Sequence, residues 1–317
     1  MRMQSSFTSP DNFICELSTL GIISINGEDA TSYLQGKVTN NVAQLTPDQA
    51  QLGCHCDFKG KTWNIFYALG GAQKIEFLCH PESIPASLAE LKKYGVFSKV
   101  DFSDTTQDHQ FVGMAGVEAE KALSKLFGAL PQQHLAVVHS ELGYVIRFEQ
   151  PKPRFLVITK SQAANSLLEQ LAEYVVDESY WEAMDIVAGI ANIQSQTSIE
   201  FIPQMMNMQA LDAISFDKGC YMGQEVVART KYLGKNKRAA FILKSNLAAQ
   251  LQAGDSLEAQ VGENWRRSGT VLRSATLEDS TWVLAVLPND TASDAMLRAK
   301  NNPQQTFSVE PLPYSID

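Results

Sequence analysis

Two rhythms of apolar and polar positions alternate along the first two-thirds of the chain. Residues 20–25 form a short apolar run closed by the Asn26-Gly27 turn, and Glu28-Asp29 then open a helical pattern that continues to Gln35. Carboxylates suit that place because the first turn of a helix carries partial positive charge. Residues 52–56 and 62–69 read as strands joined by the hairpin Asp57-Phe58-Lys59-Gly60-Lys61, with a further strand over 75–78. A helix over 84–94 has Leu88 and Leu91 spaced for one face and is closed by Gly95.

A comparable unit follows. Residues 111–115 read as a strand, 118–127 as a helix ended by Gly128, 143–148 and 155–159 as strands, and 161–174 as a helix with Ser161 at its N-cap. Strands interleaved with helices, yet partly joined by hairpins, imply α+β layers rather than a doubly wound parallel sheet. After Arg238 the helical rhythm fades. Residues 240–243, 256–261, 269–275 and 281–287 are short strand candidates between Gly, Asn and Asp turns, the pattern of a small barrel or sandwich. The expected division is residues 1–239 as an α+β region of two related subdomains and 240–317 as a C-terminal β-barrel.

Composition narrows the class. A chain of 317 residues, 44% hydrophobic and 19% charged, can bury a sizeable core and hold two or three domains. Its net charge of -9 argues against general nucleic-acid binding, although a local basic face can still dock phosphates. No apolar run approaches the ~18 residues of a membrane span, and no signal peptide is expected. Five cysteines are an odd, sparse set, which fits reduced thiols in a cytoplasmic protein.

Against that acidic background stands one segment, Lys218-Gly219-Cys220-Tyr221-Met222-Gly223-Gln224-Glu225. Between Lys218 and Arg238 six Lys or Arg face one acid, Glu225. A helix is expected over 224–230, so Cys220 lies near a helix start and a neighbouring cation, surroundings in which reactive cysteines are found. The glycines allow close backbone approach or positive φ. The competing reading is a buried, inert cysteine in a turn whose glycines serve geometry alone. No acyl-transfer triad is visible, and the five histidines supply no clear base for Cys220. The run Arg229, Lys231, Lys235, Lys237 and Arg238 is either a solvated face or an anion-attracting rim for a polyglutamate tail, an RNA backbone or an acidic partner. Tyr221, Tyr232 and Trp265 are candidate stacking surfaces.

Cys54-His55-Cys56 and Cys79-His80 suggest a metal clip, but alternation puts Cys54 and Cys56 on one side of a strand and His55 on the other. Core cysteines are the simpler reading, and no metal is expected. Neither a Walker loop nor a dinucleotide fingerprint is present, since Gly60-Lys61-Thr62 lacks the upstream glycine-rich element.

Several of these residues fall into a wider pattern. Asn26-Gly27-Glu28-Asp29-Ala30, Tyr33-Leu34-Gln35-Gly36, His55-Cys56-Asp57, Lys59-Gly60-Lys61, Phe201-Ile202-Pro203-Gln204, Gln209-Ala210-Leu211, the 218–225 segment, Trp265-Arg266-Arg267 and Glu310-Pro311-Leu312-Pro313-Tyr314 together resemble the bacterial folate-binding, tRNA-modification-associated members of the aminomethyltransferase-like family. The resemblance covers nearly the whole chain. It implies a ring of three subdomains around a central channel holding a tetrahydrofolate derivative, the C-terminal β-barrel being the third. It also implies Cys220 as the functional thiol supported by Lys218, with Leu20, Trp181, Tyr221, Gly223, Gln224 and Glu225 at cofactor-binding positions. A second tryptophan of the family pattern falls at Leu20 here. True aminomethyltransferases carry an acidic pair near the position of Asn64-Ile65; this chain has neither acid, so glycine-cleavage chemistry is not expected.

The expected function is that of a folate-binding accessory factor for iron–sulfur enzymes, including those that thiolate tRNA, with an influence on replication initiation. The alternatives are a folate-dependent one-carbon transferase and a tRNA-binding module using the Arg229 to Arg238 rim.

Overall fold

The computed structural model describes residues 7–234 and 236–316. The chain lays down β1 (Phe13–Glu16), β2 (Gly21–Asn26), α1 (Ala30–Gln35), β3 (Gln51–Cys56), β4 (Thr62–Gly71), β5 (Lys74–Cys79), α2 (Ile84–Gly95) and β6 (Asp101–Asp104). The strands from β2 onward make an antiparallel sheet in the order β3-β4-β5-β2-β6. Next come β7 (Gln110–Ala115), α3 (Val117–Phe127), β8 (Val137–Ser140), β9 (Gly143–Phe148), β10 (Arg154–Thr159) and α4 (Ser161–Gln170). Their strands form a second sheet, β1-β7-β10-β9-β8, which captures β1 by pairing Phe13 with Ala115.

Strand alternation decides the layering. In β2, Ile23 and Ile25 pack with Leu34 and Leu91 of the helices, whereas Ile22 joins Leu69 and Leu78 against Phe111, Ile146, Leu156 and Ile158 of the second sheet. In β10, Phe155 and Val157 pack with Leu123 and Leu167 of α3 and α4, while Leu156 and Ile158 face inward. The two sheets therefore pack face to face with helices outside. Burying one such Leu or Ile is worth about 1.5–3 kcal/mol, so a one-residue slip that exchanged the faces would be strongly disfavoured.

After α5 (Ser179–Val187) and α6 (Gln224–Tyr232), the strands β11 (Arg238–Ser245), β12 (Ser256–Val261), β13 (Asn264–Thr276), β14 (Thr281–Pro288), β15 (Leu297–Ala299) and β16 (Asn302–Glu310) follow. They close into a barrel in the order β11-β14-β13-β12-β15-β16, which decides against a sandwich. Phe241, Leu243, Val283, Ala285 and Leu287 fill its interior. The alternate residues Ala240, Ile242, Leu284 and Val286 face outward and join Cys54, Cys56, Ile186 and Met206 in a shared core. Two sheets, α5 and the barrel thus meet at one junction.

The structure differs from the sequence expectation in places. Asp29 stays outside α1 as its N-cap residue, and its carboxylate accepts from the Lys99 amide at 2.8 Å. Helix α4 stops at Gln170, because Leu171 leaves helical geometry and residues 172–174 form a separate 3₁₀ turn. The strands β1, β6, β8, β15 and β16 and the helix α5 were not expected.

Candidate functional site

The segment 218–225 is a loop fastened at both ends. Lys218 turns inward, its Nζ donating to the carbonyl oxygens of Val38 at 2.9 Å and Asn40 at 2.6 Å. It also lies 5.3 Å from the Tyr221 ring centroid. Burial pulls its pKa down to about 8. At the far end Gly223, at φ +82°, is the N-cap of α6. A Cβ there would stand 2.5 Å from the Asp57 carbonyl oxygen and 2.9 Å from Gly60 Cα, so glycine is required on both conformational and steric grounds. The Met222 amide donates to Gly36 O at 3.1 Å. Asp57 holds the facing hairpin, its Oδ1 accepting from the amides of Lys59 and Lys61 at 2.9 and 2.7 Å.

Cys220 stands between these fixed points and is exposed, whereas Cys15, Cys54, Cys56 and Cys79 are buried. Cys220 is therefore not the buried cysteine of the competing reading. Two of the three Lys218 ammonium protons are committed to carbonyls, which makes Lys218 an anchor of the loop. Gln224 is half-buried and Glu225 exposed. Tyr221 is buried, and burial pushes its phenol well above the usual tyrosine range. It offers no free stacking face, a correction to the sequence reading.

A second constellation occupies the junction, built on α5. Arg273 donates to Glu182 Oε2 through Nη2 at 2.6 Å and through Nε at 3.2 Å, and also reaches Asp185 Oδ2 at 3.1 Å and Ile190 O at 2.9 Å. Arg154 takes the other Asp185 oxygen at 2.5 Å. Burial alone would lower the Arg273 pKa, but Glu182 and Asp185 outweigh it and hold the guanidinium above its ordinary value. A bulge between Val271 and Arg273 puts Arg273 opposite Leu284. Leu284 faces out of the barrel, so the extra residue re-aims Arg273 from the interior toward α5. None of these four ionic residues stood out in the sequence. The available signal was Glu182 and Asp185 three apart within the apolar stretch from Trp181 to Val187.

Leu20, Tyr67, Asp185, Asn192 and Arg273 line a cavity of about 40 Å³ at this junction. It shares Thr19 and His80 with a cleft of about 500 Å³ that carries Glu82, Asp177, Glu178 and Glu182. The cavity alone holds little more than a water, whereas the cleft has room for a bicyclic ring. Leu20, Leu52, Ile65 and Tyr67 give the small cavity an apolar wall and Asn192, Asp185 and Arg273 a polar end, so it has room for no more than the edge of a ring seated in the cleft. A polyglutamate tail does not fit there, since the cleft lining holds four carboxylates and no Lys or Arg. Trp181 does not line this cavity. It is 2% exposed, with Arg154 4.2 Å from its ring centroid and Phe148 edge-on. Gly113 lets it lie against β7, as a Cβ there would be 2.4 Å from Trp181 Cε3.

The basic rim lies elsewhere. Arg229, Lys231 and Lys237 are exposed and Arg238 half-buried; Lys235 lies outside the described residues. Lys231 Nζ sits 3.6 Å from the Phe216 ring centroid and 5.3 Å from that of Tyr232, which is exposed. Arg238 joins Lys61 and Arg267 along a groove and donates to Ser268 O at 3.3 Å. None of these cations lines the junction or the acidic cleft. Trp265 is stacked by Arg298 at 4.2 Å.

Cys54 and Cys56 pack into the shared core, and His55 faces away from them with Nδ1 2.9 Å from Ser87 Oγ. Burial, and then Lys37, lower its pKa to about 3. Among the described residues no cluster of three or more His, Cys, Asp or Glu is placed to hold a metal. Asn64 is buried opposite His55, where its Oδ1 accepts from Ser83 Oγ at 2.8 Å. Among the described residues no helix is long and apolar enough to cross a membrane.

Comparison with known proteins adds a lineage to this geometry. Residues 236–302 match the family described as YgfZ, beta-barrel domain. The tRNA-modifying protein YgfZ of Yersinia pestis (strain Pestoides F) is 42% identical over 306 residues, 96% of this chain and 92% of that protein. Its counterpart from Yersinia enterocolitica is 40% identical over the same shares. Among solved structures, the glycine cleavage system aminomethyltransferase T from Bartonella henselae superposes with a TM-score of 0.72 at 13% identity. That superposition covers 96% of this chain and 86% of the transferase. The fold is therefore aminomethyltransferase-like, with two α+β units and a barrel.

Proposed function

The chain belongs to the family of the tRNA-modifying protein YgfZ, and from that premise we propose that it is a folate-binding accessory factor. It maintains iron–sulfur enzymes, including those that thiolate tRNA, in the cytoplasm, and thereby influences replication initiation. The observation that carries this reading is the exposed Cys220 on a loop anchored by Lys218 and Gly223. Such a thiol meets a reactant that arrives from outside, on a client protein, rather than one sealed in a cavity.

The folate is a tetrahydrofolate derivative, which when bound supplies or accepts a one-carbon unit. Its ring would sit in the cleft with one edge against Leu20 and Tyr67, where Asn192 and Asp185 would orient the polar atoms of that edge. Arg154 and Arg273 fix the Asp185 carboxylate before any ligand arrives. Trp181 would act from outside the cavity, its ring packing on Arg154, which in turn holds Asp185. Gly223, Gln224, Glu225 and Tyr221 belong to the Cys220 loop, and in this reading they position the thiol. The one-carbon transferase alternative is disfavoured by Asn64, an amide engaged with Ser83 where the transferases of the resemblance carry acids.

Equilibrium titration with 5-formyltetrahydrofolate tests the ligand assignment. Leu20 is half-buried, so Leu20→Asp should leave the thermal midpoint near that of wild type while weakening binding by about tenfold or more, through a charge desolvated against the ring. Unchanged affinity in that variant would move the folate away from the junction.

A further inference from the structure

We infer that the surface around Cys220 docks a protein partner, and that the partner presents an acidic segment carrying apolar side chains. The inference rests on the client reading of the thiol given above and adds where the client binds and by what chemistry. Among the described residues the exposed aromatic side chains are Phe58, Tyr94, Phe97 and Tyr232. Each belongs to an element joined to the Cys220 loop. Phe58 stands at the turn of the β3–β4 hairpin, whose Asp57 and Gly60 lie against Gly223. Tyr94 is in the last turn of α2 and Phe97 follows it. Lys37 Nζ lies 4.3 Å from the Tyr94 ring centroid, and the preceding Gly36 accepts the Met222 amide. Tyr232 ends α6, the helix that Gly223 caps.

An exposed apolar side chain is ordinary when it stands alone. Here the exposed aromatic set gathers around one exposed thiol, with Val96 and Leu233 adding aliphatic surface at 74% and 86% exposure. Aromatic enrichment of that kind is the composition of an interface. The charge of the face fixes the sign of its partner. Lys37, Lys59 and Lys231 lie 4.3, 5.4 and 5.3 Å from the ring centroids of Tyr94, Phe58 and Tyr232, and none of the three has an ion pair among the described residues. Glu90, on the same helix as Tyr94, is taken by Lys93 at 3.4 Å. The whole chain carries a net charge of -9, so an acidic partner is repelled by the rest of the molecule and steered to this face. A nucleic acid suits it less. Lysines already cover rings on which bases would stack, and Val96 and Leu233 offer a phosphate nothing.

Calorimetric titration of the full chain with a purified tRNA-thiolating iron–sulfur enzyme tests the face. Phe58 and Phe97 are exposed, so Phe58→Ser combined with Phe97→Ser should keep the thermal midpoint near that of wild type. The pair should weaken binding by about tenfold or more. Lys59→Glu should weaken it too, by a factor that shrinks as salt is raised. Val261→Ser combined with Met296→Ser, both exposed on the barrel, should leave it unchanged. No binding of the enzyme, or binding indifferent to the Phe58 and Phe97 pair, overturns the inference. Two other results overturn it by giving the face a different occupant: a dimer of this chain in light scattering that the pair abolishes, or a transfer RNA that the pair releases while the enzyme stays bound. The thiol reading is decided separately, since it fails if Cys220→Ala supports full tRNA thiolation in cells, whatever the affinities show.

Discussion

The Lys218 ammonium is 8% exposed and bridges two carbonyls that lie about 180 residues earlier in the chain. Lys218→Met removes the donor and leaves those carbonyls without it, at a cost of about 1–3 kcal/mol. A lower urea midpoint at pH 7 should report this loss. The pH dependence has a defined sign. The lysine releases its proton at about 8 when folded and near 10.5 when unfolded. In that window the unfolded chain binds more protons, so wild-type stability rises from pH 8 toward 10.5 relative to Lys218→Met. Parallel curves for the two proteins would contradict the assignment. Cys220 was legible in the sequence because its glycines and cation served no packing pattern. The role of Lys218 as an anchor was not, since its acceptors are main-chain atoms that no sequence pattern marks.

At the scale of elements, α6 is tied to the β3–β4 hairpin through the contact of Gly223 with Asp57 and Gly60. Gly223→Ala combines a clash at 2.5 Å with an unfavourable positive φ, and should cost about 1–3 kcal/mol. Hydrogen exchange should show faster exchange across residues 219–226 while the β2–β5 ladder keeps its protection. Protection unchanged at 219–226 would mean that the hairpin does not hold the loop. The β3–β4 hairpin, α2 and α3 were readable because each buries one regular face. Helix α5 was not, because Trp181, Ala183, Met184, Ile186 and Val187 are buried nearly all round it. The β13 bulge was equally hidden, as alternation assigns Arg273 to the barrel interior.

The second sheet, α5 and the barrel are joined by ions far apart in sequence. Arg154 comes from the second sheet, Glu182 and Asp185 from α5, and Arg273 from the barrel. Hydrophobic pattern foresaw the units and the resemblance foresaw their grouping, but the buried ionic joint appears only in three dimensions. The acidic cleft and the cationic groove share no lining residue, and the Cys220 loop lies on neither lining. In the proposed function the junction, as folate site, and the thiol perform separable tasks. The most direct test measures Cys220→Ala twice, for 5-formyltetrahydrofolate affinity in vitro and for tRNA thiolation by an iron–sulfur client in cells. Affinity should stay within about twofold of wild type and thiolation should fall by about tenfold or more; full thiolation with Cys220→Ala would contradict a role for the thiol.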